Sequence, residues 1–457
     1  MQADASLYGA ADLSPYAYRK ARLLAELRVG QSGPPLGLGK RTSNLFRDRA
    51  ERGKHRLDLG NFCHVLEVSA QEGWVDAEGL TSYEDLVAAT LPRGVMPAVV
   101  PQLKTITIGG AAAGVGIEAT SFRYGLMHET LAEFDVLLPG GEIVLCRPDN
   151  EHSDLFFGFP NSYGTLGYAL RLRQRTIRVK SCVRIEHQRF ESARAYFAAL
   201  AEQCAGTADF IDGVVFGPGT LVLNVARFAD EAPRLSDYGF EQIYYRSLLE
   251  KDVDYLDVGD YLWRWDTDWF WCSKNLGAQN PLVRQILGRK RLNSRTYTRV
   301  MRWNARWGLT RRWARLRGLY PEGVIQDVDI PLPRAEEFLD FLLREIGIVP
   351  IWICPLRTVA SVARYPLYPL TPGTLYINFG FWDTVYSDVV HEPGHYNRLV
   401  EREVLRSGGI KSLYSDSFFT REEFARAYGI EQLEVLKAKY DPQRRALGLY
   451  EKCVLRG

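Results

Sequence analysis

A run of glycine, alanine and small hydroxyl residues at positions 105–121 is the part of this sequence best suited to hold a ligand. It reads TITIGGAAAGVGIEATS, with four glycines, three consecutive alanines and a single acid. Glycine costs conformational entropy, so a cluster of it indicates a backbone that approaches something closely or adopts positive φ. Amide N–H groups exposed in such a turn form a concavity that suits phosphate. We therefore predict that this stretch holds the pyrophosphate of a flavin dinucleotide.

Two other interpretations of these glycines stay open from the residues alone. Gly114, Gly116 and Ala119 match GxGxxA, the dinucleotide fingerprint of Rossmann folds. That motif needs a strand before its first glycine, a helix after its last and an acid about 20 residues on. Here alanines precede it, Gly125 soon interrupts any helix, and Asp135 falls at the start of a predicted strand. A purely structural glycine turn is the second alternative.

A second glycine pair suggests another anion-binding loop nearer the N-terminus. Gly37 and Gly39 are followed by Thr42, Ser43 and Asn44. Such small polar residues can bind phosphate, but a plain surface loop explains them equally well.

Composition limits the classes of protein to consider. A chain of 457 residues exceeds one typical core, so two or three domains are expected. The net charge of +2 argues against a nucleic-acid-binding polycation, and seven scattered cysteines without CxxC pairs argue against disulfides or zinc. His391 and His395 have a metal-like spacing, but Pro393 and Gly394 between them prevent a regular helix. We expect no metal site, no secretory signal and no membrane-spanning segment.

The order of short strands and helices predicts an α+β fold rather than a doubly wound parallel sheet. Helices are predicted at 16–30, 82–89, with Ser82 as N-cap, 192–204 and 335–346. Strands are predicted through 96–110, in a hairpin turning at 139–141, and in a pair at 211–216 and 220–228.

Residues 269–321 contain thirteen Lys and Arg and no Asp or Glu, together with Trp303, Trp307 and Trp313. This composition predicts a positive, indole-rich face that could lie peripherally on an anionic membrane. A solvated helical face with cation–π packing is the alternative. Nucleic acid is disfavoured, because the positive charge is local and no binding module is recognisable.

Six motifs resemble one known family. VVPQLKTITIGGAAAGVGIEATSFRYGL, EHSDLFFGFPNSYGTLGY, VIQDVDIPL, IVPIWICPL, LYINFG and LYSDSFFTREEF occur in the order found in Δ24-sterol reductases. Those enzymes belong to the vanillyl-alcohol-oxidase-like, PCMH-type FAD-dependent oxidoreductases. The resemblance runs from about Gly39 to the C-terminus, without the family's membrane-anchoring N-terminal segment. It leads us to expect a cytoplasmic protein able to sit peripherally on a membrane.

The resemblance implies a two-subdomain PCMH-type FAD-binding domain at 1–179 and an α/β substrate cap domain at 180–408. Residues 409–457 would return to complete the FAD site. It implies reduction of a C=C bond in a sterol-like or isoprenoid lipid, with NADPH as electron donor. An FAD-linked alcohol or sugar oxidase or dehydrogenase is one alternative, because the same fold hosts both activities. A non-catalytic, membrane-associated flavin-binding protein is another.

The family's cofactor-binding motifs carry over to two stretches of this chain. They are Thr107, Ile108, Gly109, Gly110, Gly114, Val115, Gly116, Ile117 and Glu118 in the first, and Gly164, Thr165 and Gly167 in the second. Residues 37–44 contain no histidine that could attach covalently to the flavin, so we expect non-covalent FAD. Glu118 could tune the flavin or contact ribose, or it could simply be an acid at a helix start.

Reducing an alkene with flavin requires a hydride on one carbon and a proton on the other. A neutral acid such as tyrosine could donate that proton. We predict Tyr376, Tyr414 and Arg357 as catalytic residues, with Asn378 and Asp416 as further candidates. A core position for Tyr376 and a plain ion pair for Arg357 are the alternatives.

Overall fold

A computed structural model describes residues 14–28, 36–40, 46–47, 55–362 and 364–456. Thr42, Ser43 and Asn44 of the second predicted anion loop lie outside the described residues. The helices are α1 Pro15–Arg28, α2 Tyr83–Thr90, α3 Ile108–Gly114, α4 Ser121–Tyr124, α5 Ser153–Gly158, α6 Ala193–Ala205, α7 Tyr244–Ser247, α8 Val258–Leu262, α9 Pro281–Leu287, α10 Ser294–Trp307, α11 Leu309–Leu316, α12 Leu332–Phe341, α13 His395–Arg406, α14 Arg421–Ala427, α15 Ile430–Tyr440 and α16 Leu449–Cys453. The strands are β1 Leu36–Gly39, β2 His55–Asp58, β3 Val65–Ser69, β4 Trp74–Glu78, β5 Val95–Pro97, β6 Leu131–Leu137, β7 Ile143–Cys146, β8 Tyr168–Arg178, β9 Cys182–Phe190, β10 Phe210–Gly217, β11 Thr220–Ala229, β12 Val253–Asp257, β13 Tyr320–Pro331, β14 Ile351–Leu356, β15 Tyr376–Ser387 and β16 Ile410–Lys411.

The N-terminal part of the chain forms a six-stranded antiparallel sheet. Its order is β3-β4-β8-β6-β7, and β5 also pairs with β8. The predicted hairpin is confirmed, because Val136 lies opposite Val144 and Gly141 turns the chain with φ of 93°. β1 and β2 form a separate parallel pair. The predicted helix at 82–89 is also confirmed, and the Ser82 hydroxyl accepts from the Asp85 N–H.

The second sheet has eight strands in the order β12-β9-β11-β10-β14-β15-β13-β16, paired antiparallel throughout. Helices α6, α12 and α13 cover one face, where Tyr196, Phe338 and Val400 share an apolar cluster with the strands. The predicted helix at 335–346 is present as α12 and a π-helical continuation, Leu342–Ile346. The prediction of a mixed helix-and-sheet fold without a doubly wound parallel sheet is confirmed, because both large sheets are antiparallel.

The strand predicted through 96–110 is wrong over most of its length. Strand β5 stops at Pro97, and the glycine run forms the short helix α3. Thr107 caps this helix, since its hydroxyl accepts from the Gly110 N–H at 3.2 Å. Close packing favours the helix, because a Cβ on Gly109 would lie 2.7 Å from the Gly79 carbonyl oxygen.

Candidate functional site

A cavity of about 1160 Å³ opens where three parts of the chain meet. The glycine segment and the turn at 163–169 form one wall, and strands β13, β14 and β15 form the opposite wall. Residues of the C-terminal region, including Tyr414 and Lys452, also line it. A cavity of this size can hold a large organic cofactor together with part of a substrate.

Most of the predicted cofactor-binding residues line this cavity. They are Thr107, Gly109, Gly110, Gly114, Val115, Gly116, Ile117, Gly164 and Gly167. Ile108 is instead fully buried in the core, and the Thr165 hydroxyl donates to the Ser162 carbonyl at 2.8 Å. Glu118 is buried in an ion pair. These three residues therefore support the wall without forming its surface.

The backbone N–H groups at the start of α3 are not free to bind a phosphate, because they already donate to backbone carbonyls. Those of Ile108, Gly109 and Ala111 donate to the carbonyls of Thr81, Gly79 and Thr107 at 2.8–3.0 Å. The first amides of the helix therefore serve the fold.

Other amides of the same wall remain available to a ligand. Gly116, Ile117 and Gly164 line the cavity, and their N–H groups have no hydrogen-bond acceptor among the described residues. Buried amides normally have partners, so these three positions favour a ligand that accepts hydrogen bonds.

Glycine is required in the second turn by backbone conformation. Gly164 has φ of 78° and Gly167 has φ of 125°, values that L side chains rarely adopt. A Cβ on Gly167 would also collide with the Leu137 carbonyl. The turn therefore brings bare backbone to the cavity surface.

Four cationic side chains line the same cavity: Lys40, Arg47, Arg56 and Lys452. Lys40 Nζ lies 3.3 Å from the Thr107 hydroxyl. Buried Arg47 donates through Nη1 to the Leu413 carbonyl at 2.6 Å, and its Nε has no partner in the described part of the chain. Positive charge beside unpaired amides is complementary to a pyrophosphate. The residues present fit FAD.

The opposite wall is aromatic. Phe270 lies 4.7 Å from Trp382 and 5.6 Å from Trp352, measured between ring centroids, and Trp269 lines the cavity beside them. Trp269, Phe270 and Trp271 all have positive φ, between 44° and 58°. Bulky residues rarely adopt this conformation, and packing must hold them there. This wall suits a flat or apolar ligand.

A hydroxyl, a carboxyl and an indole meet at the edge of this aromatic wall. Trp382 Nε1 donates to the Tyr414 hydroxyl oxygen at 2.7 Å, and the buried Asp327 carboxyl lies close enough to that hydroxyl to influence its pKa. Burial raises the pKa of Asp327 to about 7, although the Tyr414 hydroxyl opposes this shift. Burial and Asp327 hold the pKa of Tyr414 well above its usual range. At neutral pH the Tyr414 hydroxyl is therefore protonated and can donate a proton to a ligand in the cavity.

The other two predicted catalytic residues do not line the cavity. The Tyr376 hydroxyl is buried and accepts from the Thr371 N–H at 3.1 Å. Arg357 Nη2 lies 3.4 Å from the Cys204 carbonyl, on the side of helix α6. The core alternative for Tyr376 therefore agrees with its position, whereas Arg357 contacts a carbonyl rather than an acid. Neither side chain is placed to touch the reacting atoms.

The further candidates also lie outside the cavity lining. Asn378 donates to the Asp329 carboxylate at 2.7 Å, inside the sheet. The backbone carbonyl of Asp416 accepts from the Lys411 ammonium. Asn378 and Asp416 therefore contact other parts of the fold rather than the cavity.

Glu118 connects the glycine wall to the eight-stranded sheet through Arg264 and Asp212. Arg264 Nη2 lies 3.4 Å from Glu118 Oε1 and 2.6 Å from Asp212 Oδ2, and all three side chains are almost fully buried. Burial raises the pKa of Glu118 to about 7, and Arg264 counteracts the rise. Glu118 therefore supports the wall through an ion pair, rather than contacting the ligand.

Sequence reasoning missed Asp327, Trp382, Trp352 and Phe270. Asp327 did leave a signal, because Asp327 and Asp329 are acids at alternate positions, separated and followed by the apolar residues Val328 and Ile330. Such a period of two places both carboxyls on one face of a buried strand. The aromatic residues left none, since they come from separate strands and a distant turn.

Two further expectations concern what is absent. The described residues contain no group of three His, Cys, Asp or Glu side chains that could hold a metal ion. His391 and His395 stack with ring centroids 4.1 Å apart. Among the described helices, none combines the length and the apolar character needed to cross a bilayer.

Comparison with known proteins agrees with this site. Residues 33–147 match the family described as FAD binding domain. The chain is 28% identical over 440 residues to a Delta(24)-sterol reductase of Arabidopsis thaliana, covering 88% of this chain and 76% of the relative. It is 27% identical over 425 residues to a human Delta(24)-sterol reductase, covering 87% and 77%. A 112-residue stretch is 33% identical to cytokinin dehydrogenase 10 of rice, covering 24% and 20%.

These matches confirm the resemblance to the Δ24-sterol reductases and the predicted FAD cofactor.

Proposed function

We propose that this protein is an FAD-dependent oxidoreductase that reduces a C=C bond in a sterol-like or isoprenoid lipid. One observation carries the proposal: a single cavity joins a glycine and cation wall that fits FAD to an aromatic wall bearing Tyr414 and Asp327. The relatives named Delta(24)-sterol reductase support the same substrate class. NADPH as the electron donor is part of the proposal and rests on the resemblance.

When bound and reduced, FAD supplies a hydride to one carbon of the alkene. The Tyr414 hydroxyl donates the proton that the other carbon needs. The Trp382 N–H stabilises the negative charge that develops on the Tyr414 oxygen, and protonated Asp327 donates its own proton to that oxygen in the same step. The aromatic wall orients an apolar substrate and excludes water.

The proposed division of the chain follows the two large sheets. Strands between 65 and 178 form the six-stranded sheet, and strands between 182 and 411 form the eight-stranded sheet. This supports a two-subdomain PCMH-type FAD-binding domain at 1–179 and a cap domain at 180–408, except that strand β16 of the second sheet lies just beyond residue 408. Residues 409–457 contribute Tyr414 and Lys452 to the cavity, which supports their role in completing the FAD site.

The cofactor and both half-reactions can be tested on the purified protein. We expect a yellow protein that releases intact FAD on acid precipitation, because no covalent link is proposed. Anaerobic NADPH should bleach the flavin, and an unsaturated sterol should restore the colour. A protein that cannot be reconstituted with FAD would contradict the proposal. Bleaching by an alcohol, with no reoxidation by any alkene, would favour the oxidase or dehydrogenase alternative.

The proton donor should give a pH dependence. Because Asp327 acts in its protonated form and its pKa is about 7, reoxidation by the alkene should slow about tenfold per pH unit above that value. Asp327→Asn removes the titrating group, so its slower rate should be flat through pH 7. Stopped-flow reoxidation between pH 5.5 and 9, about the range in which such a carboxyl titrates, measures this.

Asp329→Asn is the matched control. The negative charge of Asp329 raises the pKa of Asp327. This variant should therefore still slow at high pH, but the pH at which the rate begins to fall should be lower. If the reoxidation rate of Asp327→Asn still fell above the same pH, Asp327 would not be the titrating group.

A further inference from the structure

Helices α10 and α11 expose large apolar side chains on their surfaces. Val300, Trp303 and Trp307 repeat at helical spacing on α10, and Trp313 and Leu316 do so on α11. Their exposed fractions include 57% for Trp303, 61% for Trp313 and 86% for Leu316. Isolated exposed apolar residues are ordinary, but three tryptophans and two aliphatic residues on adjoining helices indicate a surface for a partner.

The charges around these tryptophans are positive. Exposed arginines include Arg299 on α10, Arg312 and Arg315 on α11, and Arg317 directly after α11. Arg317 lies over the Trp313 ring at 4.7 Å. Within the described residues, no carboxylate pairs with Arg299, Arg312 or Arg315. The partner that complements this surface is therefore anionic as well as apolar.

Not every cation of this region is available. Lys274 pairs with Asp383 at 2.8 Å, Arg284 pairs with Asp268 at 2.8 Å, and Arg295 pairs with Glu84. These three cations hold the region onto the rest of the protein. Arg299, Arg312 and Arg315 have no such pair among the described residues, and all three are exposed.

The same helices border the mouth of the cavity. Val300, Met301 and Trp303 of α10 and Thr310 of α11 line it. Val300 and Trp303 are also exposed, as is the lining residue Tyr386 of β15, so the cavity reaches solvent there. Trp313 lies three residues after Thr310, on the same side of α11.

We infer that α10 and α11 dock on the surface of an anionic phospholipid bilayer, with the cavity mouth facing the lipid. Indoles and Leu316 would enter the headgroup region while the arginines contact lipid phosphates. An apolar substrate could then pass from the bilayer to the aromatic wall without crossing water. The docking itself is independent of the proposed function, whereas this substrate route rests on it.

Vesicle flotation of the full-length, flavin-loaded protein tests the docking. The probes are phosphatidylcholine vesicles with and without added phosphatidylglycerol, at low and at physiological salt. We expect binding to the anionic vesicles, weakened by salt. Each basic residue near an anionic surface contributes about 1 kcal/mol, so Arg312→Gln/Arg315→Gln should weaken binding about 30-fold. Trp313→Ala/Leu316→Ala should weaken it by about tenfold or more.

Arg402→Gln and Val435→Ala are matched controls. Both residues are exposed on helices α13 and α15, and both variants should bind vesicles like the unmodified protein. Equal binding to neutral vesicles, no binding at low salt, or unchanged binding of Arg312→Gln/Arg315→Gln would overturn the docking. Stronger binding to a DNA duplex than to vesicles would overturn it in favour of nucleic acid.

The two proposals can fail separately. Flavin content and bleaching by NADPH are measured without vesicles. A protein that floats but does not bleach keeps the docking and contradicts the reductase. A protein that bleaches and is reoxidised but does not float keeps the reductase and contradicts the docking.

Discussion

Replacing Tyr414 by phenylalanine is expected to slow reoxidation of the reduced flavin by an unsaturated lipid by about 10²- to 10⁴-fold. This is the range that a positioned general acid contributes. Phenylalanine keeps the ring but removes the hydroxyl that lies beside Trp382 and Asp327. Reduction of the flavin by NADPH needs no proton from this group, so its rate should be unchanged. Anaerobic stopped-flow measurement of the two half-reactions separates the effects.

Tyr376→Phe is the matched control for this experiment. It removes a hydroxyl that accepts a hydrogen bond from the Thr371 N–H, away from the cavity. Reoxidation should be as fast as in the unmodified protein. If Tyr376→Phe were slow and Tyr414→Phe fast, the assignment of the proton donor would be reversed. Equal slowing of both half-reactions in Tyr414→Phe would indicate lost cofactor geometry instead.

Replacing Arg264 by methionine is expected to lower the free energy of unfolding by about 3–5 kcal/mol. Removing one partner of a buried ion pair leaves uncompensated charge, which is the costly case. Here two carboxylates, Glu118 and Asp212, would lose their shared partner, and the Arg264 contact with the Tyr261 ring at 4.2 Å would also go. Urea titration followed by far-UV circular dichroism measures the loss.

Arg406→Met provides a matched comparison on the surface. Arg406 also contacts two carboxylates, Glu337 and Glu403, but its side chain is 53% exposed. Exposed pairs contribute about 1 kcal/mol or less, so this variant should lose little. Adding Glu118→Gln to Arg264→Met should recover part of the loss, because one buried charge is removed. A small loss in Arg264→Met would contradict this view of the ion pair.

The elements that sequence predicted well are set by nearby residues. Ser82 caps α2 because its hydroxyl is three residues from the N–H it accepts from. Gly141 turns the hairpin because glycine readily adopts the positive φ that the turn between the two neighbouring strands requires. In such cases the cause of the structure lies within a few positions of its effect.

The glycine segment shows where local reasoning fails. Glycine is about 1 kcal/mol less favourable in a helix than alanine, so four β-branched residues before two glycines favour a strand. The helix forms because bare Gly109 packs on the Gly79 backbone, thirty positions away in the chain. That contact exists only in the folded protein.

The candidate site was predictable for the cofactor wall and less so for the chemistry. The cofactor wall was predictable because its glycines are visible in the sequence. Tyr376 and Tyr414 are the same residue type, and what separates them is whether each side chain reaches the cavity. Strand register decides this for Tyr376, which lies opposite Pro331 and Leu356 inside the sheet. Asp327 and Trp382 meet across paired strands, a neighbourhood that sequence spacing does not encode.

The buried ammonium of Lys437 has a consequence for how the protein is made. Its Nζ donates to the Thr165 carbonyl at 3.1 Å and to the Ala446 carbonyl at 3.0 Å, which joins the last helices to the cofactor turn. During synthesis these residues leave the ribosome long after the turn itself. The nascent chain can therefore complete its cofactor pocket only after it has been synthesised as far as Ala446.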